Sequence, residues 1–249
     1  MIKLFRNIRK KLVAEGKTTN YLKYAIGEIF LVVIGILIAL QVNNWNERRK
    51  QNIQKDLIVQ SLIRDLKMDT LMIDQTLNIL KQDTTQVFGF IKQMSNDHVT
   101  IDTLINIARF KFDPKVHVAV SFNNNTLKSL LSTGNLNILD KWLQDEILQL
   151  DVMHEDNISR TQLNLRTYVD QVISFERKYP LGDYGNISPH SKLAEAIWEK
   201  AQFEELGTYL NGLLAIRNVT NIYAIGQLNG IQEKTKEILL QFSDKQSKQ

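Results

Sequence analysis

The sequence contains no cysteine, and only three prolines and eleven glycines occur among its 249 residues. The absence of cysteine excludes disulfides, thiolate metal sites and cysteine nucleophiles. The scarcity of proline and glycine disfavours a β-rich or loop-rich fold. Because residues that break helices are rare, the sequence predicts a fold built from long helices.

Common catalytic and nucleotide-binding motifs are also absent. The sequence has no GxxxxGK[ST] loop, no GxGxxG after a strand, no HExxH and no GxSxG. Of four scattered histidines, His154 stands beside Glu155 and Asp156, but adjacent helical residues point in different directions and make a poor chelate. We therefore interpret His154 as a half-buried structural residue. We expect no enzymatic activity, no cofactor and no metal site.

The formal net charge of +4 is unevenly distributed along the chain. Residues 1–50 carry ten Lys or Arg and three Asp or Glu, whereas the remaining residues carry 21 basic and 24 acidic side chains. A basic N-terminal segment on a slightly acidic body argues against a nucleic-acid partner. It fits a segment that lies against anionic membrane lipid.

Residues 1–20 begin with MIKLFRNIRKKL, in which apolar side chains recur at helical spacing. Basic residues fill the other positions: Lys3, Arg6, Arg9, Lys10 and Lys11. Short basic amphipathic helices of this kind lie in the membrane interface. We predict a cytoplasmic interfacial helix whose five basic side chains meet lipid headgroups. A signal-peptide n-region or a cytosolic packing helix is the alternative.

Residues 24–42, YAIGEIFLVVIGILIALQV, contain a single charged side chain, Glu28. This length matches the roughly 20 residues that cross a hydrocarbon core. Aromatic residues flank the stretch, as membrane interfaces favour: Tyr21, Tyr24 and Trp45. We predict a transmembrane helix over residues 21–45. A cleaved signal peptide is the rival interpretation, but the stretch lacks a small-x-small cleavage site.

The charges that flank this stretch predict its orientation. Seven basic residues precede it and only three follow it closely. Because the larger basic cluster stays in the cytoplasm, the N-terminus is predicted to be cytoplasmic and the bulk of the chain to lie outside.

Two features inside the predicted span indicate a partner helix. An ionisable residue within a span is a functional candidate, although Glu28 lies only about one turn from the cytoplasmic interface, where a lipid headgroup could meet its carboxylate. Gly35 and Ala39 form a small-xxx-small pattern that lets another helix pack closely. We expect this helix to belong to a second copy of the chain or to a separate membrane protein.

No glycine or proline occurs between Gly35 and Gly89, so the transmembrane helix is predicted to continue into a stalk helix over residues 46–94. Seven residues of the stalk are spaced alternately by four and three: Val59, Ile63, Leu66, Thr70, Ile73, Leu77 and Leu80. Such a seam is typical of a coiled coil between chains or of one helix in an intramolecular bundle. Because more helices follow, we favour the bundle.

Residues 95–249 are predicted to form an antiparallel helical bundle that packs with the stalk. A short helix over residues 100–110 ends before Pro114, and VHVAVSF is interpreted as an extended connector. The next short helix is expected to begin at a cap formed by Asn123 or Asn125. Gly134 stands where a left-handed C-terminal cap belongs.

Two long helical regions complete the predicted bundle. Asp140 is expected to cap a helix that runs to Pro180. Pro189 is expected to open a second region that extends to about Phe242. Four glycines in this last region indicate either close helix packing or breaks between shorter helices. The predicted class is all-α: an interfacial helix, a transmembrane helix continuing into a stalk, then the bundle.

Three segments, MIKLFRNIRKKL, YAIGEIFLVVIGILIALQVNNWNERRK and LLSTGNLNIL, resemble an uncharacterised family of N-terminally membrane-anchored Gram-negative bacterial proteins, known only as a domain of unknown function. The resemblance covers residues 1–50 and 121–150. It implies an inner-membrane protein with a periplasmic helical domain, and it implies no activity.

Two functions fit these observations. The first is a non-enzymatic single-pass inner-membrane protein whose periplasmic helical domain binds a protein partner or ligand, as a scaffold, accessory or sensor subunit. The alternative is a single-span subunit of a proton-driven membrane complex that uses Glu28.

Overall fold

The computed structural model describes residues 18–115, 121–181, 188 and 190–246. The helices of these residues are α1 Thr18–Met94, α2 Ile101–Asn106, α3 Asn125–Thr133, α4 Lys141–Glu176, α5 Lys192–Trp198 and α6 Phe203–Gln246. Helix α2 continues into a π-helical turn, Ile107–Lys111, and a 3-10 turn, Asn135–Ile138, follows α3. The structure is 86 % helical and its described part contains no strand, which confirms the predicted all-α class.

Some predictions fall outside the described residues. These include the interfacial helix with its basic side chains Lys3, Arg6, Arg9, Lys10 and Lys11, and most of the VHVAVSF connector. Tyr21 and Tyr24 lie within α1, but their side chains are likewise outside the described part.

The chain divides into two units between Ile58 and Val59. The described part of the first unit, residues 18–58, is helical throughout. The second unit contains the remaining described residues. The end of α1 at Met94 coincides with the predicted end of the stalk, while the division of the chain into four domains stays a prediction.

Helices α4 and α6 of the second unit pack antiparallel. The contacts pair an ascending series on α4 with a descending series on α6: Trp142 with Phe242, Glu146 with Lys234, Asn157 with Gln227, and Tyr168 with Arg217. Helix α1 also runs antiparallel to α6, because its Asp74 contacts Gln232 while Asp83, farther along the chain, contacts Arg217. The second unit is therefore a bundle of three long helices.

The seam of α1 is buried by the chain's own helices. Leu66, Ile73, Leu77 and Leu80 are buried, and Val59, Ile63 and Thr70 are half-buried. This burial supports the intramolecular bundle over a coiled coil between chains. At the end of α1 the core widens, because the short helix α2 and its π-helical turn insert Leu104, Ile107 and Ala108 beside Val87, Phe90, Phe175 and Leu210.

The predicted helix ends are partly confirmed. Gly134 adopts a left-handed conformation, with φ of 68°, at the end of α3. Asp140 occupies the N-cap position of α4, although its side chain makes no capping hydrogen bond there. The predicted caps of α3 are wrong: Asn124 occupies the N-cap position and its side chain makes no capping bond. Asp65 on α1 takes that role instead, because its carboxylate accepts a hydrogen bond from the backbone N–H of Thr126 in the first turn of α3.

The structure corrects the predicted start of the C-terminal region and excludes breaks at its four glycines, one of the two interpretations left open. Helix α5 begins after Ser191, whose hydroxyl accepts a hydrogen bond from the backbone N–H of Ala194, and Pro189 does not open it. Helix α6 is continuous through all four glycines, and the break falls before it, at residues 199–202. Gly207 packs against Leu104, where a Cβ would lie 3.5 Å from the leucine Cδ1.

Candidate functional site

Helix α1 carries one stretch that is long and apolar enough to cross a membrane, and none of it is buried. Bulky side chains along this stretch are exposed: Ile29, Phe30, Leu31, Val32, Ile36, Leu37, Ile38, Leu40 and Val42. Soluble monomers rarely expose a contiguous apolar surface of this size. The stretch indicates a membrane anchor and is compatible with a single-pass membrane protein.

The site residues predicted in this stretch lie along one helix. Trp45 is exposed, Ala39 is exposed and Glu28 is half-buried. A Cβ built on Gly35 would meet nothing within 4 Å, so the small-residue face is open within the described chain. The roles of these residues in lipid contact, helix packing and proton transfer stay predictions.

A polar site that the sequence reasoning missed lies in the second unit, where α1 meets the N-terminus of α3. Asp65 and Asp69 are four residues apart and share one face of α1. The Oδ2 atom of Asp65 accepts a hydrogen bond from the backbone N–H of Thr126 at 3.2 Å. The Oδ1 atom of Asp69 accepts from the backbone N–H and the side-chain amide of Asn123, at 2.7 and 2.9 Å. The two carboxylates thus provide the charge that a helix N-terminus favours.

Helix α4 completes the site from the opposite side. The side-chain amide of Asn124 donates to Oδ1 of Asp151 at 3.3 Å, so its Oδ1 faces Nδ1 of His154 at 3.1 Å. This arrangement places the imidazole proton on Nδ1. The ring of His154 stacks on Phe122, with centroids 3.8 Å apart and planes at 3°.

These side chains line a cavity of about 20 Å³, which we call the acidic cavity. Its lining consists of Asp65, Asp69, Asp151, His154, Asn123, Asn124, Leu62, Leu66, Leu127, Ile147 and Leu150. A volume of this size holds one group about as large as a water molecule. The cavity is therefore a small polar site with an apolar base.

Burial shifts the pKa values of three groups that line the acidic cavity. Asp69 is 1 % exposed, and desolvation raises the pKa of its carboxyl despite the hydrogen bonds from Asn123. Desolvation and the charge of Glu155 raise the pKa of Asp151. His154 is 2 % exposed, and desolvation lowers its pKa to about 4, so the ring is neutral at pH 7. His154 is thus fully buried, whereas the sequence predicted a half-buried position.

A second polar cluster surrounds Arg217, which is 3 % exposed. Its guanidinium donates to both carboxylate oxygens of Asp83, at 2.6 and 2.9 Å, and to the hydroxyl of Tyr168 at 3.0 Å. Tyr168 donates in turn to the carbonyl of Pro114 at 3.0 Å, and the amide of Asn221 donates to Asp83 at 2.6 Å. This cluster therefore joins α1, α4 and α6 around a buried guanidinium whose charge is paired with the half-buried Asp83.

The sequence does contain a signal for both clusters. Asp69 interrupts an apolar stripe at helical spacing: Leu62, Leu66, Ile73, Leu77 and Leu80. Arg217 likewise follows the buried Leu210, Leu213 and Leu214. A charged residue within a buried stripe needs a partner, but the spacing does not identify that partner. Within the described residues no group of three His, Asp or Glu side chains is placed to hold a metal ion directly.

Comparison with known proteins identifies one matching family. A model described as a family of unknown function (DUF6090) matches residues 28–110. This finding confirms the expected similarity to an uncharacterised family, and the match includes residues 28–42 of the apolar stretch together with Asp65, Asp69 and Asp83. No curated protein and no solved structure matches the chain.

Proposed function

We propose that the protein is a single-pass inner-membrane protein that presents its helical bundle in the periplasm and binds a protein partner there or within the membrane. The observation that carries this proposal is the unburied apolar stretch of α1. An apolar helix of this length needs lipid around it, because water would face a continuous hydrocarbon surface.

The proposed orientation rests on charge. Seven basic residues precede the apolar stretch, and Arg48, Arg49 and Lys50 follow it. The excess on the N-terminal side favours a cytoplasmic N-terminus. The bundle, which follows the stretch in the chain, is then exported.

A non-enzymatic role fits the interior of the bundle. The buried Arg217 is satisfied by Asp83, Tyr168 and Pro114, and the carboxylates of the acidic cavity hold the N-terminus of α3. These groups stabilise the fold. The proposed activity is therefore binding, as a scaffold, accessory or sensor subunit, and the open face at Gly35 and Ala39 is the proposed contact for another transmembrane helix.

Photo-crosslinking in native membranes tests the partner. A photoreactive amino acid placed at Ala39 is expected to capture a specific protein, either a second copy or a different chain. The matched control position is Leu37, which is exposed on the same stretch but lies on the opposite side of the helix from Gly35 and Ala39. Crosslinking to lipid alone at both positions would contradict the proposed helix partner.

A further inference from the structure

We propose that the acidic cavity binds an ammonium group, either the free ion or the –NH3+ end of a small primary amine. The cavity lies wholly within the second unit, so this inference stands independently of the membrane orientation. It rests on which hydrogen-bonding atoms of the cavity are already paired and which are not.

Three carboxylates each use one oxygen to hold residues 123–126 and leave the other oxygen unpaired. Asp65 accepts through Oδ2, and Asp69 and Asp151 accept through Oδ1. Their remaining oxygens, Oδ1 of Asp65 and Oδ2 of Asp69 and Asp151, accept no hydrogen bond from any described residue. A ligand in this cavity must therefore supply donors.

His154 independently indicates that the cavity favours a ligand with hydrogen-bond donors. Its ring lines the cavity, and its Nδ1 proton is committed to Asn124. The other ring nitrogen, Nε2, is buried and has no hydrogen-bond partner among the described residues. In this tautomer Nε2 is an acceptor, so His154 adds a further acceptor to the cavity and no free donor.

Charge favours a cation over a water molecule. The ionisable groups that face the cavity from α1 and α4 are Asp65, Asp69, Asp151 and the neutral His154, with Glu155 close to Asp151. From α3, Lys128 is the cation that acts on Asp151. Desolvation raises the pKa of Asp69 and of Asp151, and a cation in the cavity would offset this cost by stabilising the ionised carboxylates.

Size and geometry favour an ammonium group over a metal ion. A volume of about 20 Å³ admits one water-sized group. Metal ions require ligands that converge to roughly 2.0–2.6 Å, and the described acidic and histidine side chains do not converge in that way. An N–H donor is satisfied at about 2.7–3.2 Å. Asp65 and Asp151 are only half-buried, which leaves a path from solvent.

Thermal unfolding of the full chain in detergent, followed by circular dichroism, tests the inference. Methylammonium chloride and ammonium chloride are compared with tetramethylammonium chloride at equal ionic strength, because the last cation has the same charge but no N–H donor. We expect the first two salts to raise the midpoint temperature above that in tetramethylammonium. Calcium chloride is included to test whether a metal ion raises the midpoint temperature instead.

Two variants locate the effect. Asp151→Asn keeps the shape of the side chain, and we expect it to abolish the shift caused by methylammonium. Asp170→Asn removes an exposed carboxylate from the same helix, and the shift should persist in it. The comparison of cations is made on the native protein, so it tests the inference even if a variant does not fold. Equal midpoints in methylammonium and tetramethylammonium, a shift with calcium alone, or a shift that survives in Asp151→Asn would each overturn the inference.

Discussion

Arg217 and Asp83 form a two-point ion pair inside the bundle, with Nε and Nη2 of the arginine 2.6 and 2.9 Å from the two carboxylate oxygens. The two residues are 134 positions apart in the chain and join α6 to α1. Their side chains are 4 % and 17 % exposed. Tyr168 and Asn221 occupy further hydrogen-bonding positions around the pair, so both charges are compensated in the interior.

Breaking this pair should destabilise the bundle strongly. Asp83→Asn leaves the buried guanidinium without its counter-ion, and removal of one partner from a buried pair costs about 3–5 kcal/mol. Urea unfolding of the full chain in detergent measures the loss. Asp145→Asn is the control, because it breaks an exposed pair with Lys141 on α4 and should cost at most about 0.5 kcal/mol. Equal decreases in the free energy of unfolding of the two variants would show that the buried pair contributes no more to stability than the exposed pair.

Acidification should destabilise the protein through His154. Its pKa falls from 6.5 to about 4 on folding, so the unfolded chain binds more protons between these values. The stability that this residue contributes is complete above pH 6.5 and is lost as the pH falls through 4. The shift corresponds to about 3 kcal/mol. The raised pKa of Asp69 acts in the opposite direction, since its contribution is lost as the pH rises.

The pH effect of His154 is isolated by comparison with a neutral residue. His154→Gln cannot gain the ring proton, so its free energy of unfolding should decrease less than that of the native chain between pH 7 and pH 4. Denaturant unfolding at each pH provides the values. If the free energy of unfolding decreased by the same amount in both proteins between pH 7 and pH 4, a buried neutral imidazole at His154 would be ruled out.

Two glycine substitutions should change the free energy of unfolding in opposite directions. Gly134 has φ of 68°, so Gly134→Ala places a Cβ in a left-handed conformation and should cost about 1–2 kcal/mol, although the Cβ itself meets nothing within 4 Å. Gly212 lies inside α6 with open space at its Cβ. Gly212→Ala should stabilise the protein by about 0.5–1 kcal/mol. Thermal unfolding of both variants checks the two signs.

Glu28 separates the proposed binding role from the proton-driven alternative. Glu28→Gln removes the charge and keeps the size of the side chain. A scaffold anchored by the apolar stretch should keep its membrane association and its Ala39 crosslink in this variant. Loss of an ion-driven phenotype in cells, with the crosslink intact, would favour the proton-driven complex instead.

The fold was largely predictable because helix-forming patterns are local. The apolar stretch, the end of α1 near residue 94 and the cap at Gly134 each follow from a few adjacent residues. The start of α3 was not predictable in the same way, because the carboxylate that accepts from its first turn, Asp65, comes from a helix 61 positions earlier. Spacing along one helix does not show which distant N–H groups a side chain will meet.

The same limit applies to the polar clusters. Sequence spacing shows that Asp69 and Arg217 lie within buried stripes, and burial requires partners for both. It does not show that Asp83 lies opposite Arg217, because the register between α1 and α6 depends on the whole bundle. The structural role of His154 stays a prediction, and its contact with Asn124, which links α4 to the residues before α3, was not foreseen.

Single-cysteine labelling tests the central claim, that the chain is anchored by α1 with its bundle in the periplasm. The native chain has no cysteine, so an Asp170→Cys variant carries one exposed thiol in the bundle. A membrane-impermeant maleimide is applied to cells whose outer membrane has been permeabilised, and Lys11→Cys is the matched variant at the N-terminus. The proposal predicts labelling of Asp170→Cys while the inner membrane is intact and of Lys11→Cys only after the inner membrane is lysed. The reverse pattern, or labelling of both variants only after lysis, would contradict it.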